Sequence, residues 1–331
     1  MTGALPLVTA LVPSYNHGRY IRERIESILG QTYPAVELIV IDDASQDDSD
    51  ALIRALQQQH GFQYIRNQKN SGTPFAAWER ICKLAKGRYI WVCESDDVAE
   101  PEFLQTAVTR LLGAPGSVLF YCNSLVIDDQ SEVIGSTESY FHDIWRESRW
   151  DQDFSAAGKD ELIRYQLRGQ MVPNMSSALF EAEAFRKGFT PFLKNLRLTG
   201  DWLFVGDVLR QGGAEFSASK LSRFRKHEVT SRVRVKSARS QAEFILTKYH
   251  LFKSTRLPVS AFANLMGTDM VRFLYESAGL LQVIRALVAV SAMDTLRCAA
   301  LLMVSLFWNP SYISKFFARY KVAKIWRSEN E

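Results

Sequence analysis

The sequence predicts an α/β fold on a mainly parallel sheet, flanked by helices. Three observations carry that reading. Short continuous apolar runs alternate with amphipathic segments over the first 120 residues. The apolar runs lack the in–out alternation of a half-exposed antiparallel sheet, so both faces must be covered. Pro or acidic residues open the amphipathic segments and Gly closes several of them, as helix ends favour.

The elements follow in order. "LVTALVP" (7–13) reads as a buried strand, and "GRYIRERIESIL" as a helix with Ile21, Ile25, Ile28 and Leu29 on one face. "VELIVID" (36–42) is a second strand, and "DSDALIRALQQQ" (48–59) a helix with an acidic start. "FQYIR" (62–66), "RYIWVC" (88–93) and "SVLFYC" (117–122) are further strands. Helices "PFAAWERICKLA" (74–85) and "PEFLQTAVTRLL" (101–112) separate them, each opened by Pro. The rhythm changes from about residue 123. "LVIDDQSEVIG" (125–135) reads as a hairpin whose turn holds Asp128 and Asp129, with no functional role. Residues 136–158 show no period and read as a long loop carrying Trp145, Arg149 and Trp150. "SSALF" (176–180) is a short strand, "DWLFVGDVLRQG" (201–212) a helix, and "EFSASKLSRFRKH" two short strands. The sequence reads as helical from 237 onward.

The chain has 331 residues, 47% hydrophobic and 23% charged, with a net charge of +4. That is ordinary globular composition, without a global signal for binding polyanions, and nucleic acid is not an expected partner. The basic excess is local: eleven Lys/Arg against two Glu between Lys220 and Arg256. Cys82, Cys93, Cys122 and Cys298 are scattered without C-x-x-C spacing, so neither a zinc site nor a disulfide framework is indicated, and a reducing compartment fits. The N-terminal apolar run is short and Pro-interrupted, unlike a signal peptide. The longest apolar stretch, 280–308, is broken by Arg285, Asp294 and Arg297.

In sheets of this kind, ligands bind outside the carboxyl ends of the strands. Three notable clusters fall there: Pro13–Asn16, Asp42–Asp43, and Glu94-Ser95-Asp96-Asp97. Three carboxylates within four residues repel one another and need a compensating partner. Asp96 and Asp97 are hard oxygen ligands suited to Mg²⁺ or Mn²⁺, ions that protein holds through one or two carboxylates plus substrate phosphates. Asp42 or Asp43 could accept from a base N–H or a ribose hydroxyl, or close an Asx-turn. Neither the G-x-G-x-x-G dinucleotide fingerprint nor a P-loop occurs.

"VTALVPSYNHGRYIRERIESILGQTYPAVELIVIDDASQDDSD" resembles the N-terminal signature of glycosyltransferase family two. "GRYIWVCESDDVAEPEFL" resembles that family's metal-binding acidic segment, "TGDWLFVGDVLRQG" its later Asp-containing segment, and "LSRFRKHEVTS" its Arg-x-x-His-like ending. The resemblance covers roughly residues 6 to 235. It implies an A-type glycosyltransferase fold in a catalytic domain, 1–235, followed by a helical region, 236–331. It also implies inverting transfer from a nucleoside-diphosphate sugar (UDP-, dTDP- or GDP-linked) through a divalent cation. Carried over by position, Pro13, Tyr15, Asn16, Asp42, Asp43, Asn70, Gly72, Glu94, Ser95 and Asp96 would bind the donor. Asp96 and Asp97 would meet the metal, Asp201 would be the base, and Arg225 and His227 would approach phosphate. The sequence departs from the pattern at Glu94, where Asp is usual, and at Phe75–Trp78, which replace a small polar run. A nucleotidyltransferase would need a Gly-rich basic loop after the first strand, where "PSYNHG" stands. A non-catalytic lipid- or RNA-binding module would leave the aligned carboxylates without a role.

The acceptor expected from the resemblance is a glycan, free or lipid-linked, in cell-surface polysaccharide synthesis. In 315–327, Lys315, Arg319, Lys321, Lys324 and Arg327 alternate with aromatics, a pattern suited to an anionic membrane surface. Packing against the rest of the chain or a second subunit fits equally. The expected location is cytoplasmic, at the inner face of the membrane.

Overall fold

The computed structural model describes residues 4–226, 238–266 and 280–308. Its centre is a ten-stranded mixed sheet. Strand β1 (Val8–Ser14) is buried along its whole length and pairs in parallel with β2 (Val36–Asp42) and β4 (Tyr89–Val92). β2 carries β3 (Gln63–Arg66) on its other edge, also parallel. Beyond β4 the order continues through β9 (Ala178–Glu181), β6 (Ser117–Ile127), β10 (Gly213–Arg225) and β5 (Val98–Ala99). β9 runs antiparallel to both neighbours, while β6 and β10 are parallel.

The expected helices form. α1 (Gly18–Leu29) buries Ile21, Ile25 and Ile28, and α2 (Ser49–His60) buries Ile53 and Leu56. With α4 (Phe103–Gly113) they pack on Val8, Ala10, Val12 and Val40 in one cluster. On the opposite face, α3 (Phe75–Leu84) sets Trp78 edge-on to Phe204 at 5.0 Å and beside Phe185 of α7 (Ala182–Gly188) at 6.0 Å. Phe75 and Trp78 are therefore core residues.

Three local expectations change. The stretch 136–158 is no loop: it holds α5 (Thr137–Trp145), a 3₁₀ turn, and β8 (Phe154–Ala156), which pairs with β10. Trp150, fully buried and stacked on Phe141 at 4.8 Å, anchors it. Only Thr137 and Phe141 of the nine α5 residues are buried, too few to show a helical period. β10 is one 13-residue strand, its pairing with β6 shifted in register between Ser217 and Ser222. The two-residue β5 was not foreseen; it pairs with β10 and makes the acidic segment a tight turn between β4 and β5. The hairpin expected at 125–135 is present, closing β6 on β7 (Val133–Ser136).

The helices α6 (Gly158–Glu161) and α8 (Gly200–Leu209) complete the first part of the chain. Two compact units emerge. Unit one holds residues 1–194 and 204–228; unit two holds 195–203 and 229–331. The segment containing Asp201 thus groups with the C-terminal helices α9 (Ala238–Lys253) and α10 (Leu280–Trp308). The four cysteines are free thiols.

Candidate functional site

The carboxyl ends of β2, β1 and β4 lie side by side, because Ser14 pairs with Asp42 and Leu11 with Val92. Their loops knit into one rim. The Asn16 amide donates to Ser45 Oγ at 2.9 Å, and Asn16 Oδ1 accepts from the Gln46 amide at 2.8 Å. Asn16 sits at φ 55°, a left-handed conformation that Asn tolerates better than most residues. His17 Nδ1 and Ser95 Oγ are 2.7 Å apart, tying the β1 loop to the acidic turn. Pro13 is buried beneath this rim, whereas Tyr15 is 42% exposed on it.

Each carboxylate pair divides into an inner and an outer member. Asp42 is fully buried. It accepts from the Ser45 amide (3.1 Å), the Ser45 hydroxyl and Arg66 Nε (3.2 Å). Both of its oxygens accept from these groups, so the donor contact expected of it has no exposed oxygen to use. Asp43, partly exposed, accepts from Asn67 Nδ2 at 2.6 Å and from the Ser71 amide and hydroxyl at 2.9 and 2.7 Å. It thereby orients the loop carrying Asn70 and Gly72. Asn70 Oδ1 accepts from the Gly72 amide at 2.6 Å, and Gly72 takes φ 75°, a turn that glycine adopts without strain.

The same division holds at the acidic turn. Asp97 is buried and accepts from the Arg225 amide at 2.9 Å. Burial, and then the charge of Asp96, push its carboxyl up to about 7. Asp96 and Glu94 remain partly exposed at the rim. The Glu94 amide is held by Ser176 Oγ at 3.0 Å, and Ser95 is buried beside His17.

Arg225 is buried and engaged by protein groups. Its side chain is buried, donating to the Asp96 carbonyl (2.7 Å), the Asp128 carbonyl (2.6 Å), Ser131 Oγ (3.0 Å) and Glu23 (2.7 Å). The guanidinium braces the acidic turn through the Asp96 carbonyl. His227 lies outside the described residues. His17, Ser176 and Arg66 were missed by sequence reasoning. Single polar residues at those positions carry no local signal, and only the pairing of distant strands brings them to the rim.

Asp201 stands in the first turn of α8, and its Oδ1 accepts from the Trp202 amide at 2.8 Å. The segment before it is held by α9. Glu243, fully buried, accepts from the Arg197 and Leu198 amides at 2.9 and 2.8 Å, and Thr199 bonds Thr247 at 2.8 Å. Lys248 lies 6.0 Å over the Trp202 ring.

No group of three or more His, Cys, Asp or Glu side chains converges as a metal cage among the described residues. A rim carboxylate with a buried one behind it suits an octahedral cation that completes its shell with diphosphate and water.

The model of the family described as "Glycosyl transferase family 2" matches residues 9–186, and the chain belongs to that family. Its relatives include glycosyltransferase GlyG of Streptococcus pneumoniae, 36% identical over 100 residues, 30% of this chain and 33% of GlyG. The Escherichia coli chondroitin synthase is 29% identical over 40% of this chain and 19% of its own length. This chain thus spans a third or less of those two relatives. Among solved structures, Staphylococcus aureus TarS residues 1–349 in complex with UDP superposes with TM-score 0.65 at 15% identity, covering 98% of this chain and 92% of that one. The mannosyltransferase PcManGT of Pyrobaculum calidifontis, in complex with GDP-Man and Mn²⁺, gives 0.54 at 18% identity over 97% and 86%. The fold is the A-type glycosyltransferase fold that the resemblance implied.

Proposed function

We propose that this chain is an inverting, cation-dependent transferase that moves a sugar from a nucleoside diphosphate to a hydroxyl of a glycan in cell-surface polysaccharide synthesis. The observation that carries the reading is the rim itself: Asp43 follows β2 and Asp96 follows β4, the two strands that flank β1, and each adjoins a buried carboxylate. Complexes with UDP and GDP-Man in fold neighbours, and a polysaccharide synthase among the relatives, support it.

In this reading Tyr15 offers its ring to the base, and Asp43 accepts from base or ribose while holding the Asn70–Gly72 turn. Asp96 and Asp97 are the residues that would hold Mg²⁺ or Mn²⁺. When bound, the cation supplies Lewis-acid stabilisation to the departing diphosphate. Asp201 takes the proton of the acceptor hydroxyl as that oxygen attacks the anomeric carbon. Calorimetric titration of UDP and GDP with and without Mn²⁺ tests the donor half. Tight binding that requires Mn²⁺ and is lost in Asp96→Asn is expected; equal binding without the ion would remove the cation from the scheme. Asp201→Asn should keep nucleotide binding and lose transfer, and the anomeric configuration of the product reports inversion.

A further inference from the structure

Helix α10 carries an apolar surface that the transfer chemistry does not use. Its backbone leaves helical geometry at Ser291 (φ −165°, ψ 103°), dividing it into sections 280–290 and 292–308. In the second section Met293, Leu296, Met303 and Val304 are 58%, 67%, 66% and 46% exposed. At about 100° per residue these four, with exposed Ala300 among them, fall within an arc of about 100°. Cys298 is buried on the other side, and Asp294 bonds His250 of α9 at 3.2 Å. One face of the section is therefore committed to α9, and the opposite face is an unbroken apolar stripe. Arg297 is exposed beside it and Arg285 is exposed on the first section, whereas Asp294, the one acidic residue of α10, is turned to His250.

We propose that this stripe lies in the plane of an anionic lipid surface, apolar side chains among the acyl chains and the two arginines at the headgroups. The window Gln282–Val304 is as apolar as a spanning helix, with mean hydropathy 1.8, but is only 11% buried. The helix break decides against spanning. At 1.5 Å per residue the sections are about 16 and 25 Å long, both short of the ~30 Å hydrocarbon core. A span would also draw Asp294 and Arg297 through that core. A helix with one apolar face, one face bound to protein and cations at the margin is instead the pattern of an interfacial helix. A second copy is the poorer occupant, because isologous pairing brings like-charged arginines into one interface. The sequence that follows adds five cations between Lys315 and Arg327 and no acid before Glu329, the same sign. The proposal is independent of the donor chemistry.

The test is flotation of the full chain with phosphatidylglycerol–phosphatidylcholine vesicles and with phosphatidylcholine alone. Wild type should float with the anionic vesicles, less so in high salt, and alkaline carbonate should release it. Leu296→Asp/Met303→Asp should lower the partition coefficient about tenfold or more. Its thermal melting and nucleotide binding should not change, since both side chains are exposed. Wild type remaining unbound would overturn the proposal, as would a double variant that floats equally well. Retention through carbonate would establish a span instead. A dimer in light scattering that needs Leu296 and Met303, without vesicle binding, would establish a second copy as the occupant.

Discussion

Glu243 on α9 holds the segment that leads to Asp201, and substituting it separates the structure of that segment from donor binding. Its carboxylate accepts from two backbone amides, those of Arg197 and Leu198, and from Arg239 Nε at 2.8 Å. Hydrogen bonds to a charged acceptor contribute ~1.5–3 kcal/mol each. The Arg239 side chain is 36% exposed, so its share falls toward the surface-pair value of about 0.5 kcal/mol. Glu243→Ala leaves both amides without a protein partner, and the expected loss is about 3–5 kcal/mol. Glu243→Gln keeps a carbonyl oxygen for the amides but sets an amide NH₂ against Arg239, for a loss of about 1–2 kcal/mol. Denaturant unfolding measures the totals, and hydrogen exchange locates them: protection should fall first at Arg197 and Leu198. Turnover should drop in both variants, Gln less than Ala, with nucleotide affinity unchanged. Unaltered exchange at those two amides in Glu243→Ala would refute the bracing argument outright.

Three further outcomes follow from the packing. Burial alone would raise the Asp47 carboxyl, but hydrogen bonds from Ser49 and the Gly18 amide outweigh it and hold its pKa below the ordinary value. A lowered pKa gives stability that is present above the normal carboxylate range and fades as pH falls through it. Asp47→Asn should therefore lower stability at neutral pH and flatten the acid limb of the stability curve; an unchanged limb would contradict this. At Gly158 an added Cβ would stand 1.9 Å from the Gly212 carbonyl and 2.1 Å from that of Leu209, so Gly158→Ala should lose about 3 kcal/mol in denaturant unfolding. Arg225→Lys cannot reproduce four hydrogen bonds from one fork. It should lose about 2–3 kcal/mol and weaken Mn²⁺-dependent nucleotide binding through the displaced acidic turn. Weakened binding in a variant of unaltered stability would instead place Arg225 at the ligand.

Much of the fold was legible because its information is local. β1 and β2 are buried runs, and α1 and α2 repeat apolar residues at helical spacing, so each announces itself within a dozen residues. The elements that escaped owe their form to distant partners. β5 is two residues long and exists through Ser222 and Arg223 of β10. α5 is held by aromatic stacking onto Trp150, not by a long apolar face. The same holds for residues 197–199, which Glu243 and Thr247 capture across more than forty positions. At the site, position at the strand ends was readable, but the direction of each side chain was not. Asp42 turns to Arg66 and Asp97 to the Arg225 amide, pairings that no neighbouring residue signals.

The inner and outer carboxylates together explain why so many acids crowd one sheet edge. At the end of β2 successive residues project to opposite sides, which sets Asp42 inside and Asp43 at the rim; between β4 and β5 it is the turn that sets Asp97 inside and Asp96 at the rim. The inner member anchors its loop: Asp42 through Ser45 and Arg66, Asp97 through the backbone of β10. Its charge meets protein groups, Arg66 at 3.2 Å for Asp42. For Asp97 it is met only in part, since burial and Asp96 push its carboxyl up to about 7. The outer member is left partly exposed at the rim. Asp96 is held by a backbone whose carbonyl is bonded to Arg225, while its carboxylate remains at the rim with Glu94. A cation bridging to a diphosphate would remove the residual repulsion, and the same cation would favour the ionised form of Asp97. The inner member of each pair is thus held inside the protein, and the outer one stands at the rim. Replacing an inner aspartate should damage stability and binding together, and replacing Asp96 should damage binding alone.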